Sequence, residues 1–202
     1  RKDGLSKIQK FSKGIRKMHQ FVKSTLATAI VCVGATLSFN ATATPINTDV
    51  IAVVDESGSM NTDHGWLAGM ISALDAALAA AAGTDPFNAQ YGLTGFGGGS
   101  GHTAGHQHNV GGGELGTAAE FGLATPGLVL NGGTEDGYSG LSKALTYTPS
   151  QTGAIKNLIL VTDEDRDKAG GPSKAAMATA LSGSLLNAVI NGQARCGDNS
   201  VA

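Results

Sequence analysis

Three residues with oxygen-bearing side chains, Asp55, Ser57 and Ser59, stand at alternate positions in Asp55-Glu56-Ser57-Gly58-Ser59. In an extended turn this spacing lets one carboxylate and two hydroxyls converge on a point, and an oxygen-only donor set suits a hard divalent cation such as Mg²⁺. A second carboxylate, Asp163, follows the apolar run Leu158-Ile159-Leu160-Val161 and Thr162. Three histidines, His102, His106 and His108, lie in the glycine-rich stretch 97–113. Imidazoles at that spacing either converge on Zn²⁺ or Cu²⁺ or are incidental in a solvated loop. His64 has no nucleophile beside it and reads as a surface histidine near a helix start.

Both carboxylates end buried strands. Val50-Ile51-Ala52-Val53-Val54 is a continuous apolar run of the kind covered on both faces in a parallel sheet. Thr44–Thr48 reads as a polar lead before it, and Lys156–Thr162 as a second such strand. In open α/β sheets, ligands bind at the carboxyl ends of the strands. Between these two strands, residues 66–78 carry Trp66/Leu67, Met70/Ile71, Leu74 and Leu78 at helical spacing. Asn61, Thr62 and Asp63 are available as caps, and Gly83 with Asp85-Pro86 ends the helix. Gln90–Phe96 reads as a strand, 97–113 as a low-complexity loop, and Leu115–Leu123 as a short helix. Gly127–Leu130 leads to the Gly132-Gly133-Thr134 turn, and Glu135 and Asp136 fall in the first turn of a helix ending near Leu145. Thr134 stands where an N-cap would. Pro172–Leu181 reads as a helix and Leu185–Cys196 as a strand. The alternation of elements gives an α/β fold, a doubly wound and mainly parallel sheet flanked by helices.

Asp55-Glu56-Ser57-Gly58-Ser59 resembles the first segment of the metal-ion-dependent adhesion site of von Willebrand factor A (vWA) domains. Thr134 and Asp163 match in order and rough spacing the threonine and the later aspartate that complete that site. The resemblance spans about Asp49 to Cys196. It implies a vWA fold and a metal site of Asp55, Ser57, Ser59, Thr134 and Asp163, holding Mg²⁺ (or Mn²⁺ or Ca²⁺). It also implies a function in adhesion, in which a partner's carboxylate completes the coordination. On this reading the chain is not an enzyme. The alternatives are a metal-dependent hydrolase, with Glu56 or Glu164 as general base, and a structural domain with an idle site. Asp165 and Asp167 extend the alternation after Asp163, but no EF-hand glycine or closing glutamate follows. We read that segment as a charged loop in which Arg166 balances its neighbours.

The 202 residues carry a net charge of −2, unevenly distributed. Residues 1–43 hold eight Lys/Arg and one acid, whereas 44–202 hold six Lys/Arg and fifteen acids, a net −9. An acidic domain of this kind is a poor fit for nucleic acid or anionic lipid. The basic start, the stretch Ser24–Phe39 and the small-residue site Ala41-Thr42-Ala43 read as a secretory signal peptide cleaved after Ala43, with Met18 as a candidate start. The organisation expected is therefore a leader, 1–43, and an exported, C-terminally incomplete vWA domain, 44–202, with no membrane insertion of the mature part. Cys196 is then its sole cysteine. The combined features are similar to bacterial secreted vWA proteins, some of which carry a PEP-CTERM anchor. That similarity implies a secreted or cell-surface location, with any anchor beyond residue 202.

Overall fold

The computed structural model describes residues 45–60, 63–167 and 171–195. The expected leader over 1–43, the cap candidates Asn61 and Thr62, and Cys196 lie outside the described residues.

Five strands form one sheet: β1 (Ile46–Asp55), β2 (Phe87–Phe96), β3 (His106–His108), β4 (Ile155–Glu164) and β5 (Leu185–Arg195). Their order is β3-β2-β1-β4-β5. β1 pairs in parallel with β2 and β4, and β4 in parallel with β5, while β3 runs antiparallel to β2. Among the described residues, four α-helices connect them: α1 (Leu67–Ala82), α2 (Ala118–Ala124), α3 (Gly137–Leu145) and α4 (Lys174–Ala180).

The apolar run of β1 is explained by burial on both faces. Val50, Ala52 and Val54 pack into a core with Leu67 and Ile71 of α1 and Phe121 of α2. Ile51 and Val53 point the other way, into a core with Leu141 and Ala144 of α3 and Met177 of α4. Two-residue periodicity thus divides one strand between two cores, and the doubly wound α/β architecture is what the sequence implied.

Several boundaries differ from expectation. β1 begins at Ile46, so residues 46–48 of the expected polar lead are already strand. Its polar side chains are satisfied by distant groups: the Ser150 amide donates to Asp49 Oδ2 at 3.0 Å, and the Thr48 hydroxyl to the Ile155 carbonyl at 3.3 Å. α1 continues to Ala82 through an alanine-rich tail and closes at Gly83 with φ +64°. Its cap position is Trp66, which supplies no side-chain cap. α2 starts later than expected because Thr117 and Glu120 form a reciprocal capping box. α3 starts at Gly137, leaving Glu135 ahead of the helix and Asp136 at its cap position. The stretch 97–113 contains β3, which hydrogen-bonds to the β2 edge.

The chain leaves β1 for β2 on one side and later returns to β4 on the other. The carboxyl ends of β1 and β4 therefore flank a topological switch point, where a crevice opens in sheets of this class.

Candidate metal centre

Asp55 closes β1 and is fully buried. Its Oδ1 accepts from the Ser57 amide at 2.8 Å, and its Oδ2 from the Thr162 hydroxyl at 2.8 Å. Beyond Ser57 the chain makes a 3₁₀ turn, Gly58–Met60, and Ser57 Oγ and Ser59 Oγ lie 2.8 Å apart. The Ser59 hydroxyl donates to Asp163 Oδ1 at 3.1 Å. Asp55, Ser57, Ser59 and Asp163 are thereby joined across the seam between β1 and β4. Asp163 lies where the β4–β5 register shifts between Thr162 and Glu164, an irregularity of the kind that re-aims a side chain.

Thr134 is exposed, and its hydroxyl is not among the groups so joined. Its loop does reach the seam. The Gly58 amide donates to the Gly132 carbonyl at 3.3 Å. Gly132 has φ +100°, and a Cβ there would lie 2.6 Å from the Gly97 carbonyl oxygen, so only glycine permits this approach. Because the cap position of α3 is Asp136, Thr134 is not the N-cap of that helix.

Carboxylates crowd this end of the sheet. Burial pushes the Asp55 carboxyl up, and the Asp163 charge adds to this, against the opposing bonds from Ser57 and Thr162. Glu135 is buried and pushed up to about 8 by that burial, by a hydrogen bond shared with Asp167, and by the Asp55 charge. Glu135, Glu164 and Asp167 each offer a carboxylate oxygen within 4.8 Å of the others. Arg166 reaches away to Asp136, Nε to Oδ1 at 2.7 Å, and lies 4.4 Å over the Tyr138 ring. It thus ties its loop to the start of α3, a role that the balancing of its sequence neighbours did not include. The oxygen donors, two of them neutral hydroxyls beside a buried carboxylate, fit a hard divalent cation.

Two residues have roles that the sequence reading did not assign. His64 is no lone surface histidine: its Nε2 lies 2.7 Å from the Asp55 carbonyl. Glu56 is fully buried, and its Oε1 accepts from the Val129 amide at 2.8 Å. All three histidines of the stretch 97–113 face it. His102 Nδ1 lies 3.3 Å and His106 Nε2 2.9 Å from Oε2, and His108 Nε2 lies 3.0 Å from Oε1. Burial works against ionisation of Glu56, but the contacts from His106 and His108 and the Val129 amide outweigh it and hold the carboxyl at about 2. So low a value, with every approach occupied, makes Glu56 a poor general base. The strand alternation offered the signal: if Asp55 turns toward α3, Glu56 must turn toward the opposite face.

No protein-family model matches the sequence, and no curated protein does. Solved structures do match the fold. Proximal thread matrix protein 1 from the mussel byssus is 19% identical with a TM-score of 0.50, over 74% of this chain and 39% of that one. A von Willebrand factor type A structure from Catenulispora acidiphila is 25% identical, TM-score 0.43, over 71% and 32%. The pilus adhesin SpaC from Lactobacillus rhamnosus GG is 22% identical, TM-score 0.44, over 59% and 16%. The chain thus spans well under half the length of each. It is structurally similar to von Willebrand factor A domains, with a five-stranded, mostly parallel sheet between helices.

Proposed function

We propose that residues 44–202 form an exported vWA domain that holds a divalent cation through Asp55, Ser57, Ser59, Thr134 and Asp163, and that it binds a partner offering a carboxylate. The supporting observation is the run of oxygens from buried Asp55 through Ser57 and Ser59 to Asp163, at the switch point between β1 and β4. The cation is Mg²⁺, with Mn²⁺ or Ca²⁺ as substitutes, and when bound it supplies Lewis acidity toward an incoming carboxylate. The chain's own residues divide the remaining work. Asp55 provides a fixed charge from below, shielded from water, and the serine hydroxyls donate without neutralising. Ser59 and Thr134 lie on the exposed rim, where a partner can approach. Glu164 and Asp167 repel an acidic partner at the cation-free site, so attraction depends on the ion.

Thermal melts of the chain in Mg²⁺, Mn²⁺, Ca²⁺ or EDTA, beside Ser57→Ala and Asp163→Ala, test the cation. A ligand of the folded state alone raises the midpoint, and both variants lose that rise. Arrays of peptides bearing Glu or Asp, against Gln or Asn controls, test the partner. Binding in Mg²⁺ that EDTA reverses supports the proposal. A folded sample with no midpoint shift at millimolar metal refutes it.

A further inference from the structure

Nothing in the Asp55 site accounts for three histidines gathered on one buried carboxylate. In neutral His106, Nδ1–H donates to the Ala104 carbonyl at 3.0 Å. That tautomer turns the Nε2 lone pair toward Glu56 Oε2, 2.9 Å away, and Nε2 is buried with no aligned hydrogen bond. Two lone pairs facing each other in a buried site repel unless something positive lies between them, either a proton or a metal ion.

The geometry suits the metal. Each of the four residues offers one donor atom within 4.8 Å of the other three. Tetrahedral bonds of ~2.0–2.1 Å place neighbouring ligand atoms ~3.3 Å apart. The His106 and His102 nitrogens, 2.9 and 3.3 Å from Oε2, therefore need an expansion of only tenths of an ångström about that oxygen, and His108 Nε2 lies 3.0 Å from the other carboxylate oxygen, Oε1. The Ala104 carbonyl on the second nitrogen of His106 is the support that metal-binding imidazoles characteristically have. The Val129 amide fixes the carboxylate through Oε1, which His108 also approaches, and leaves Oε2 turned to His102 and His106.

The backbone is cut to fit this cluster. A Cβ at Gly95 would lie 2.3 Å from Glu56 Oε2, and one at Gly98 would lie 2.7 Å from His102 Cβ. β3 pairs His106 with Gly95 and His108 with Leu93, which sets both imidazoles on the Glu56 side of the sheet. His102, one-third exposed, leaves a path of entry from solvent.

We propose that Glu56, His102, His106 and His108 form a second cation site, closed by three imidazole nitrogens and one carboxylate oxygen, that takes Zn²⁺ and is independent of the Asp55 site. Imidazole donors select zinc over Mg²⁺ and Ca²⁺, which prefer oxygen. Four protein ligands with no open position define a structural role: the ion staples the stretch 97–110 to the first residue beyond β1.

The test uses the purified full chain, stripped with chelator and titrated with Zn²⁺ and with Co²⁺ as a spectroscopic substitute. The expected result is one tight Zn²⁺ per chain, undiminished by excess Mg²⁺, and a Co²⁺ complex with the intense visible bands of four-coordination. His106→Gln and His108→Gln weaken binding by at least the ~10–100-fold that loss of a supporting residue costs at such sites. Asp163→Ala, which removes a ligand of the other site, keeps the zinc. If the histidine variants fail to fold, the wild-type cobalt spectrum decides alone. A folded wild type that binds no Zn²⁺ at neutral pH, or binds Co²⁺ six-coordinate, overturns the proposal and leaves an imidazolium–carboxylate cluster. Zinc lost in Asp163→Ala but kept in both histidine variants also overturns it.

Discussion

Asp55→Asn separates what the buried carboxylate does for a cation from what it does for the fold. Without metal, the ionised side chain accepts two hydrogen bonds of 2.8 Å. Each is worth ~1.5–3 kcal/mol to a charged acceptor, against a desolvation penalty of several kcal/mol for the ion, so the two nearly cancel. The amide can keep both contacts. Its oxygen accepts from the Ser57 amide, and its NH₂ donates to Thr162 Oγ1, whose proton has a second acceptor in the Glu164 carbonyl at 3.1 Å. It also removes the repulsion from Asp163. In EDTA, chemical denaturation should therefore show Asp55→Asn within ~1 kcal/mol of wild type. In Mg²⁺ at a hundred times its dissociation constant, the wild type gains ~2.7 kcal/mol, a midpoint rise of roughly 5–10 °C for a chain of this size. The variant gains nothing. A loss above ~2 kcal/mol in EDTA would show that the carboxylate is needed by the fold itself. A full Mg²⁺ shift in the variant would place the cation elsewhere.

Three further outcomes follow from single contacts. Glu135 has a folded pKa of about 8 against its ordinary 4.5, so the stability it contributes in EDTA is fully present below pH 4.5 and is lost as pH rises through 8. Glu135→Gln should flatten the stability–pH curve in that window; an unchanged slope would refute the burial argument. Gly140→Ala would place a Cβ 2.7 Å from Val53 and 2.8 Å from Phe96, both held in strands. Its overpacking cost of ~1–3 kcal/mol should exceed the ~1 kcal/mol gained in helix propensity, lowering the denaturation midpoint. Tyr147→Phe removes a buried hydroxyl that donates to the Leu93 carbonyl and accepts from Thr94. It should cost ~1–3 kcal/mol in the same assay.

The parts of the fold that were legible in the sequence are those whose causes are local. β1 and β4 announce themselves because burial on both faces demands unbroken apolar runs. Asp55, Ser57, Ser59 and Asp163 follow directly from those runs. The start of β1 was hidden because Thr48 and Asp49 look like loop residues, and the groups that satisfy them, Ser150 and Ile155, lie about a hundred positions away. The capping box at Thr117 and Glu120 was written in the sequence but lay inside an assumed helix. β3 was concealed by glycines on either side and by His-Gln-His, which has little strand propensity of its own. Without β3, nothing linked Glu56 to the histidines, so the carboxylate was read as a candidate base.

The seam between β1 and β4 has a kinetic consequence. The contacts of Glu56 with His102 and His108 close separations of 46 and 52 residues, whereas Ser59 and Asp163 are 104 apart. Each doubling of loop length costs only ~0.6 kcal/mol, but distant parallel pairings are slow to form. The β1–β2–β3 half can therefore assemble first, and the groups facing each other across the seam meet after most of the barrier has been crossed. Interactions made that late govern escape from the folded state more than arrival in it. Whatever holds Asp55, Ser59 and Asp163 together lengthens the lifetime of the folded domain and leaves the speed of its folding nearly unchanged.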